Sequence, residues 1–284
     1  SFQRGFAECY HIGAADRYAF YLGEAVSGAF EKACLSPVKG NKLIASCLSH
    51  PDLQSADFGK PVERGVMNFF ETYENEYSLL ENLGGWVFVE WSAANDKERT
   101  AGVNCATNAL YYAALKAASK ILNVKKYEKK AERVKKNLLS LAFDGKLFVD
   151  NLTRNAAGKL SCTKYYTEVT QYYFFYFGAA DKTAYRATYR FLMDELGAKR
   201  KAGAYPEICK SNVMYGAYMR MDLLMRENNA RELYGECLDY FYPMAARTGT
   251  LWENDSPKGS NVHGFASYVL KWILFSLTGF NGEN

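Results

Sequence analysis

The feature that most constrains the fold is an alternation between two kinds of helical segment. Four segments are apolar on nearly every side, and they are separated by segments with one charged and one apolar face. A helix that is apolar all round needs neighbours on every side, whereas an amphipathic helix can cover others from outside. Two concentric layers satisfy both, so the sequence predicts an all-α fold, an α/α toroid of the six-hairpin barrel type. The apolar segments are 104–122, 165–177, 211–226 and 264–277, and the amphipathic ones are 127–141, 181–196 and 230–244.

Short β excursions are expected inside this helical pattern. Asp144-Gly145 and Ala157-Gly158 stand between apolar runs, which is typical of a hairpin or an irregular loop. The helical segments number fewer than the twelve of a full six-hairpin barrel, so an incomplete barrel is an open alternative for this chain. We predict a single domain over residues 1–284, with residues 1–66 as a divergent or truncated N-terminal part.

Composition excludes several classes of function. The formal charge of +4 is small and evenly spread, which argues against a nucleic-acid partner. Uncharged apolar runs fall short of the roughly 20 residues of a membrane span, and no signal-peptide pattern opens the chain. The seven scattered cysteines contain no CxxC spacing and predict free thiols, hence a cytoplasmic location, with secretion left open if the chain is a fragment.

Aromatic residues are unusually common. They make up 15% of the chain, and 22 of them are tyrosine. Tyrosine and tryptophan combine a flat apolar body with a polar tip. This composition indicates a wet cleft that binds rings.

A polar segment precedes each predicted inner helix. In a barrel of helices with alternating direction, all inner helices run the same way, so their N-terminal ends meet at one mouth. We therefore expect four polar segments to line one pocket, into which they bring Trp91, Glu168, Glu207 and Glu253. These segments cover residues 90–96, 167–171, 204–212 and 250–263.

The last of these segments contains the strongest catalytic candidate. Glu253 lies between Trp252 and Asn254, and a carboxylate beside an indole at the start of a buried helix is suited to general acid or base chemistry. The alternative is that Glu253 and Asp255 only favour the helix dipole. His263 follows close to the next inner helix, where it is either a ligand-binding group or a structural one.

A second cluster, residues 84–96, combines two indoles with carboxylates and an amide. Trp86 and Trp91 offer flat faces for the C–H surface of a sugar, while Glu90, Asn95 and Asp96 can bind its hydroxyl groups. Core packing is the alternative for Trp86.

Two further polar residues lie on one face of the most aromatic helix. Glu168 and Gln171 are three residues apart, and burying either without a partner costs about 1–3 kcal/mol. They must therefore meet a ligand, water or other protein groups.

The nucleotide-binding motifs GxGxxG and GxxxxGK[ST], the serine-hydrolase motif GxSxG and the metalloprotease motif HExxH do not occur in the sequence. Its three histidines are far apart. We therefore expect no cofactor and no metal.

Seven motifs in the sequence resemble those of a known family. The resemblance covers residues 70–279 and lies in GWVFVEWSAAND, NALYYAALKAA, FVDN, TEVTQYYFF, YPE, RTGTLWENDSP and HGFASYVLKW, in that order. These motifs are similar to the catalytic barrel of glycoside hydrolase family 78, the α-L-rhamnosidases. The resemblance implies inverting hydrolysis of terminal α-L-rhamnosides without a cofactor, with a rhamnose-containing glycoside as the partner molecule. It leaves room for flanking β-domains in a longer parent chain.

The resemblance also implies roles for individual residues. The glutamate of the TLWE motif corresponds to Glu253, which would be the general base, and the histidine of HGFAS corresponds to His263, which would bind a sugar hydroxyl. Trp91, Glu168 and Gln171 would lie on the pocket wall. Trp252, Glu90, Asn95, Asp96 and Glu207 complete our set of predicted substrate-binding residues.

The sequence departs from the family at the general acid. The family carries this acid in an Asp-x-Pro-x-Arg-Glu-Arg-x-Gly-Trp segment, and residues 3–6 are at best a degraded remnant of it. Glu8 or Asp16 could replace the acid only by a rearrangement. Two alternatives therefore stay open: a catalytically silent carbohydrate-binding barrel, and an α/α barrel hydrolase or lyase that acts on another sugar.

Overall fold

The computed structural model describes residues 63–254 and 256–279. Nine α-helices lie within these ranges, together with short strands, 3₁₀ turns and two π-helical turns at Glu63–Met67 and Val213–Ala217. The α-helices are α1 Asn68–Glu71, α2 Lys97–Thr100, α3 Cys105–Leu122, α4 Lys125–Ala142, α5 Glu168–Tyr176, α6 Arg186–Glu195, α7 Tyr218–Arg226, α8 Ala230–Thr248 and α9 Val269–Thr278. The strands are β1 Val103–Asn104, β2 Asn151–Arg154, β3 Leu160–Cys162, β4 Tyr166–Thr167 and β5 Ile208–Cys209.

The longer helices form the predicted two layers. In the inner layer α3 packs on α5, α5 on α7, and α7 on α9, while the outer helices α4, α6 and α8 each pack on the inner helix that precedes them. Every residue of α5 is buried, whereas α4 buries a stripe that contains Tyr127, Val134 and Leu138. The alternation in the sequence therefore predicted the layers correctly, and the α/α toroid is confirmed.

The helix boundaries show where local chemistry overrides hydrophobic pattern. The pattern predicts a helix from residue 165, but Tyr166 and Thr167 form β4, and α5 begins only after Thr167, whose hydroxyl caps it. The pattern also predicts a helix from residue 181, but the Asp181 carboxylate accepts the N–H groups of Thr183 and Ala184, so this segment turns and α6 begins at Arg186.

The predicted β excursion is also present. β2 pairs antiparallel with both β1 and β3. The Asp144 carboxylate accepts the N–H groups of Lys146 and Leu147, and Gly145 has φ +103°, so the chain turns there as the Asp-Gly pair predicts.

Asp150 ties the N-terminal ends of α3 and α5 together. Its backbone carbonyl accepts the N–H of Cys105, the first residue of α3. One carboxylate oxygen accepts the hydroxyls of Thr167 and Thr170, each at 2.7 Å, and the other binds Arg99 at 2.8 Å. Asp150 is 1% exposed, so these contacts replace its hydration completely.

The remaining inner helices are joined at the same end. β4, which leads into α5, pairs parallel with β5, which leads toward α7. The hydroxyl of Tyr218, the first residue of α7, donates to the carbonyl of Phe265 at 2.7 Å, just before α9. The N-terminal ends of all four inner helices therefore lie side by side, as the topology predicts.

No helix in the described ranges is long and apolar enough to cross a membrane. The four cysteines that lie there, Cys105, Cys162, Cys209 and Cys237, are free thiols, in agreement with the sequence. Cys9, Cys34 and Cys47 lie outside the described residues, as do residues 3–6, Glu8, Asp16 and Asp255.

Asp150→Asn tests whether this end of the barrel depends on one buried carboxylate. The amide keeps the volume but loses the charge that binds Arg99, and its NH₂ group must face either Arg99 or the two threonine hydroxyls, which share one oxygen. We expect the free energy of unfolding to fall by about 3 kcal/mol in urea denaturation. Asp194→Asn, at an exposed position of α6, should change it by less than about 0.5 kcal/mol. Equal stability of the two variants would refute the role of Asp150.

Candidate active site

Two buried glutamates hold the turn that precedes α7. One Glu90 carboxylate oxygen accepts the N–H of Asn212 and the other that of Gly216, both at 2.9 Å. Glu168 receives the N–H and hydroxyl of Ser211 at 3.4 Å and forms an ion pair with Arg200 at 2.9 Å. The structure thus brings Glu90, Glu168 and residues 211–216 together, although they are far apart in sequence.

Burial changes the acid strength of Glu90. Its side chain is 0% exposed, and desolvation raises the pKa of its carboxyl to about 8. The hydrogen bonds from Asn212, Ser92 and Gly216 act in the opposite direction, while the negative charge of Glu168 adds to the rise in pKa. Glu90 is therefore largely neutral at pH 7, a property that a general acid needs, but it has no surface from which to reach a substrate.

Gln171 binds protein rather than ligand. Its amide accepts the N–H of Phe148 at 3.0 Å and donates to the carbonyl of Phe148 at 2.7 Å, and the residue is 0% exposed. Its side chain therefore has no exposed surface in this structure, and a contact of Gln171 with a ligand stays a prediction. Its role is to attach the loop before β2 to α5, the protein-partner alternative that the sequence left open.

The segment of Glu90 carries an exposed aromatic surface. Trp86 is 60% exposed and Trp91 48% exposed, so the core alternative for Trp86 is wrong. Their ring centroids are 5.6 Å apart, and the Phe88 ring lies 4.9 Å from Trp86 and 5.0 Å from Trp91. We refer to Trp86, Phe88 and Trp91 as the aromatic platform, and the half-buried Phe88 rests on Tyr215 at 5.4 Å.

Two other predicted residues of this segment shape the backbone or face solvent. The side-chain oxygen of Asn95 accepts the N–H groups of Val89 at 2.7 Å and Glu90 at 3.3 Å. Asn95 therefore supports the platform from behind. Asp96 is exposed and lies 3.8 Å from Arg99 in an ion pair. Glu207 is exposed just before β5 and therefore lies beside the start of α5.

Glu253 lies in the loop between α8 and α9. Its backbone N–H donates to the carbonyl of Ser260 at 2.9 Å, and its carboxylate accepts the Ser260 N–H at 3.3 Å. Glu253 is half-buried, and its carboxylate is held by this backbone N–H. The loop continues to Phe265, whose carbonyl binds Tyr218, so Glu253 lies at the barrel end where α7 and α9 begin.

Trp252 and His263 flank Glu253 in different ways. Trp252 is 5% exposed, and its indole N–H donates to the hydroxyl of Thr248 at 2.8 Å, so it packs into the protein and supports the loop. Trp252 therefore offers little surface to a substrate, and its contact with substrate stays a prediction. The His263 backbone N–H donates to the carbonyl of Leu251, while its ring Nε2 is buried without a hydrogen-bond partner.

The cavity beside the platform is too small for a sugar. It measures about 40 Å³ and is lined mainly by apolar groups that include Val66, Phe70, Leu110, Trp86 and Tyr173. Small-molecule pockets usually measure about 300–1,000 Å³. The described residues also contain no group of three or more histidine, cysteine or acidic side chains that could hold a metal ion.

Comparison with solved structures identifies the class of fold. A GH78 family rhamnosidase of Bacillus sp. GL1 aligns with a TM-score of 0.59 at 14% identity, over 77% of this chain and 24% of that chain. A rhamnosidase from Klebsiella oxytoca with rhamnose bound aligns with a TM-score of 0.56 at 15% identity, over 84% of this chain and 46% of that chain. Neither a protein-family model nor a curated protein sequence matches.

These likenesses show a GH78 rhamnosidase-like fold. They confirm the fold that the sequence motifs implied. The chain spans less than half the length of either solved structure. The roles of individual residues therefore depend on the geometry described above.

The raised pKa of Glu90 predicts a specific dependence of stability on pH. The carboxyl ionises near its ordinary value of 4.5 in the unfolded chain and at about 8 in the folded one, so the unfolded state binds fewer protons between these values. The free energy of unfolding of the wild type, relative to Glu90→Gln, should therefore fall by up to about 1.4 kcal/mol per pH unit from pH 4.5 to 8. Urea denaturation across this range measures it, and a difference independent of pH would contradict the assignment.

Proposed function

We propose that this chain is a glycoside hydrolase domain that cleaves terminal α-L-rhamnosides with inversion. The observation that carries the proposal is the joining of the four inner-helix N-termini at one end. The segments that lead into these helices carry the exposed aromatic platform and the half-buried Glu253. The rhamnosidase-like fold supports the substrate class. Indole faces would take the apolar side of the sugar, and carboxylate, amide and imidazole groups its hydroxyls.

Glu253 is the general base in this proposal. An inverting glycosidase needs a carboxylate that removes a proton from the attacking water, and this water must reach it from solvent. Among the predicted carboxylates, Glu90 and Glu168 are enclosed and bonded to backbone or arginine, whereas Glu253 is half-buried and Asp96 and Glu207 are exposed. We choose Glu253 among the accessible three because it corresponds to the glutamate of the TLWE motif in the family resemblance. The second carboxyl group, the general acid, would stand about 6.5–9.5 Å from the base.

A second candidate function is carbohydrate binding without hydrolysis. The family's general-acid motif is absent from the sequence, and the neutral Glu90 is enclosed, so it cannot replace that acid. A uronic-acid substrate is a weaker third alternative. It calls for an open guanidinium, whereas Arg200 is buried against Glu168 and the carbonyls of Ala204 and Tyr205.

Glu253→Gln tests the first function. The amide keeps the shape but cannot accept the proton of water, so we expect release of rhamnose from an aryl α-L-rhamnoside to fall at least about 1,000-fold. Asp194→Asn is the matched charge control and should keep full activity. Turnover by Glu253→Gln at the parent rate would remove Glu253 from the mechanism. Binding of L-rhamnose by a wild type that releases no product would favour the silent barrel.

Trp91→Ala tests the aromatic platform in either function. Removal of a half-exposed indole should weaken L-rhamnose binding about tenfold in calorimetric titration, because the stacking surface is lost. Leu270→Ala removes another exposed apolar side chain, 64% exposed on α9, and should leave the affinity unchanged. Equal affinity of both variants would exclude the platform as a sugar contact.

A further inference from the structure

Residues 211–216 form a tightly constrained turn. Tyr215 has φ +66°, a left-handed conformation that is costly for a bulky side chain, and the turn contains a π-helical stretch from Val213 to Ala217. Gly216 permits close approach: a Cβ atom there would lie 2.3 Å from the Ser211 Cβ and 2.7 Å from a Glu90 oxygen. Such a turn persists only when its surroundings hold it.

Glu90 holds this turn by hydrogen bonds at two of its residues. Its oxygens bind the N–H of Asn212 and the N–H of Gly216, while the Asn212 side-chain amide donates to the carbonyl of Trp91 at 2.8 Å. Trp91, the residue that follows Glu90, is therefore hydrogen-bonded to the same turn that Glu90 holds. On the other side, Tyr215 of the turn supports Phe88 of the platform.

We propose that Glu90 is a positioning residue, whose carboxyl group holds the 211–216 turn against the backbone of Trp91 and so sets the orientation of the aromatic platform. It contacts neither sugar nor water of reaction, because its side chain is 0% exposed. This replaces the sequence-based expectation that Glu90 binds a sugar hydroxyl. Its consequence for catalysis rests on the proposed function, but its effect on the platform does not.

The polar groups around Glu90 define what a substitution does. Ser92 lies on its own segment, Asn212 and Gly216 on the turn, and Glu168 on α5, where Arg200 balances the Glu168 charge. In Glu90→Gln an NH₂ group replaces one of the two carboxyl oxygens. This NH₂ group cannot accept a hydrogen bond from the backbone N–H that it faces. One of the two bonds to the turn is therefore lost, and the turn moves relative to Trp91.

The direct test uses fluorotryptophan-labelled full-length protein without ligand. All four tryptophans lie in the described residues, so ¹⁹F NMR gives four signals that single Trp→Phe variants can assign. Glu90→Gln should shift the signals of Trp91 and Trp86 and leave those of the buried Trp252 and Trp272 in place. An unshifted Trp91 signal overturns the inference, whatever the activity of the protein.

Kinetics give the second readout. Glu90→Gln should raise the KM for an aryl α-L-rhamnoside about fivefold or more and keep kcat within about twofold, because the sugar contact is displaced and the reacting groups are not. A fall in kcat at unchanged KM would place Glu90 in the reaction and overturn the inference. If the wild type neither binds nor cleaves rhamnosides, the proposed function fails, and the NMR test alone decides the role of Glu90.

Two further variants separate positioning from loss of stability. Asn212→Ala removes the bond to the Trp91 carbonyl and should shift the same two signals, even if Glu90→Gln does not fold. Leu138→Ala opens a cavity in α4, far along the outer layer, and should lower the melting temperature while the KM stays unchanged. A KM increase in Leu138→Ala equal to that in Glu90→Gln would overturn the positioning role.

Discussion

The structure depends on buried acidic side chains that join the N-terminal ends of its inner helices. Four parallel helix ends bring unpaired N–H groups and partial positive charge into one region, which is unfavourable unless acceptors meet them. Asp150 joins α3 to α5 with its backbone carbonyl and carboxylate, and Glu168 joins α5 to the turn before α7. Glu90 joins that turn to the segment before α2. The same bonds that close this end of the fold also place the candidate site.

This arrangement divides the polar residues of the site into two groups. Glu90, Glu168 and Gln171 are enclosed, and their hydrogen bonds go to protein. Trp86, Trp91 and Glu253 keep open surface. The enclosed groups fix backbone, and the open groups are the ones available to a ligand. An exposed aromatic surface held in this way is preorganised, because its supports cannot rotate away.

The sequence predicts the layers well and the division of roles poorly. A helix that is apolar on every side, such as α5, must lie in the inner layer. A helix with a charged face, such as α4, must turn that face to solvent and therefore lies in the outer layer. The hydrophobic pattern alone thus predicts the two layers of the toroid. The same pattern does not show whether Trp86 is exposed or whether Gln171 is enclosed by protein, because the exposure of each side chain depends on which distant segment packs against it. Gln171 binds Phe148, 23 residues away, and no local signal reveals that contact. No local signal reveals the positive φ of Tyr215 either, since the turn that contains it is bonded to Glu90, which is far away in the sequence.

A crystal structure with L-rhamnose at millimolar concentration tests the central claim most directly. The claim is that the platform and Glu253 face one sugar, although Glu253 follows Trp91 by 253 − 91 = 162 residues. We expect the ring of rhamnose to lie against the indole of Trp91, with its anomeric carbon one water molecule away from the Glu253 carboxylate. Rhamnose bound at a place that Trp91 and Glu253 do not share, or a carboxylate that faces away from the bound sugar, would contradict the account.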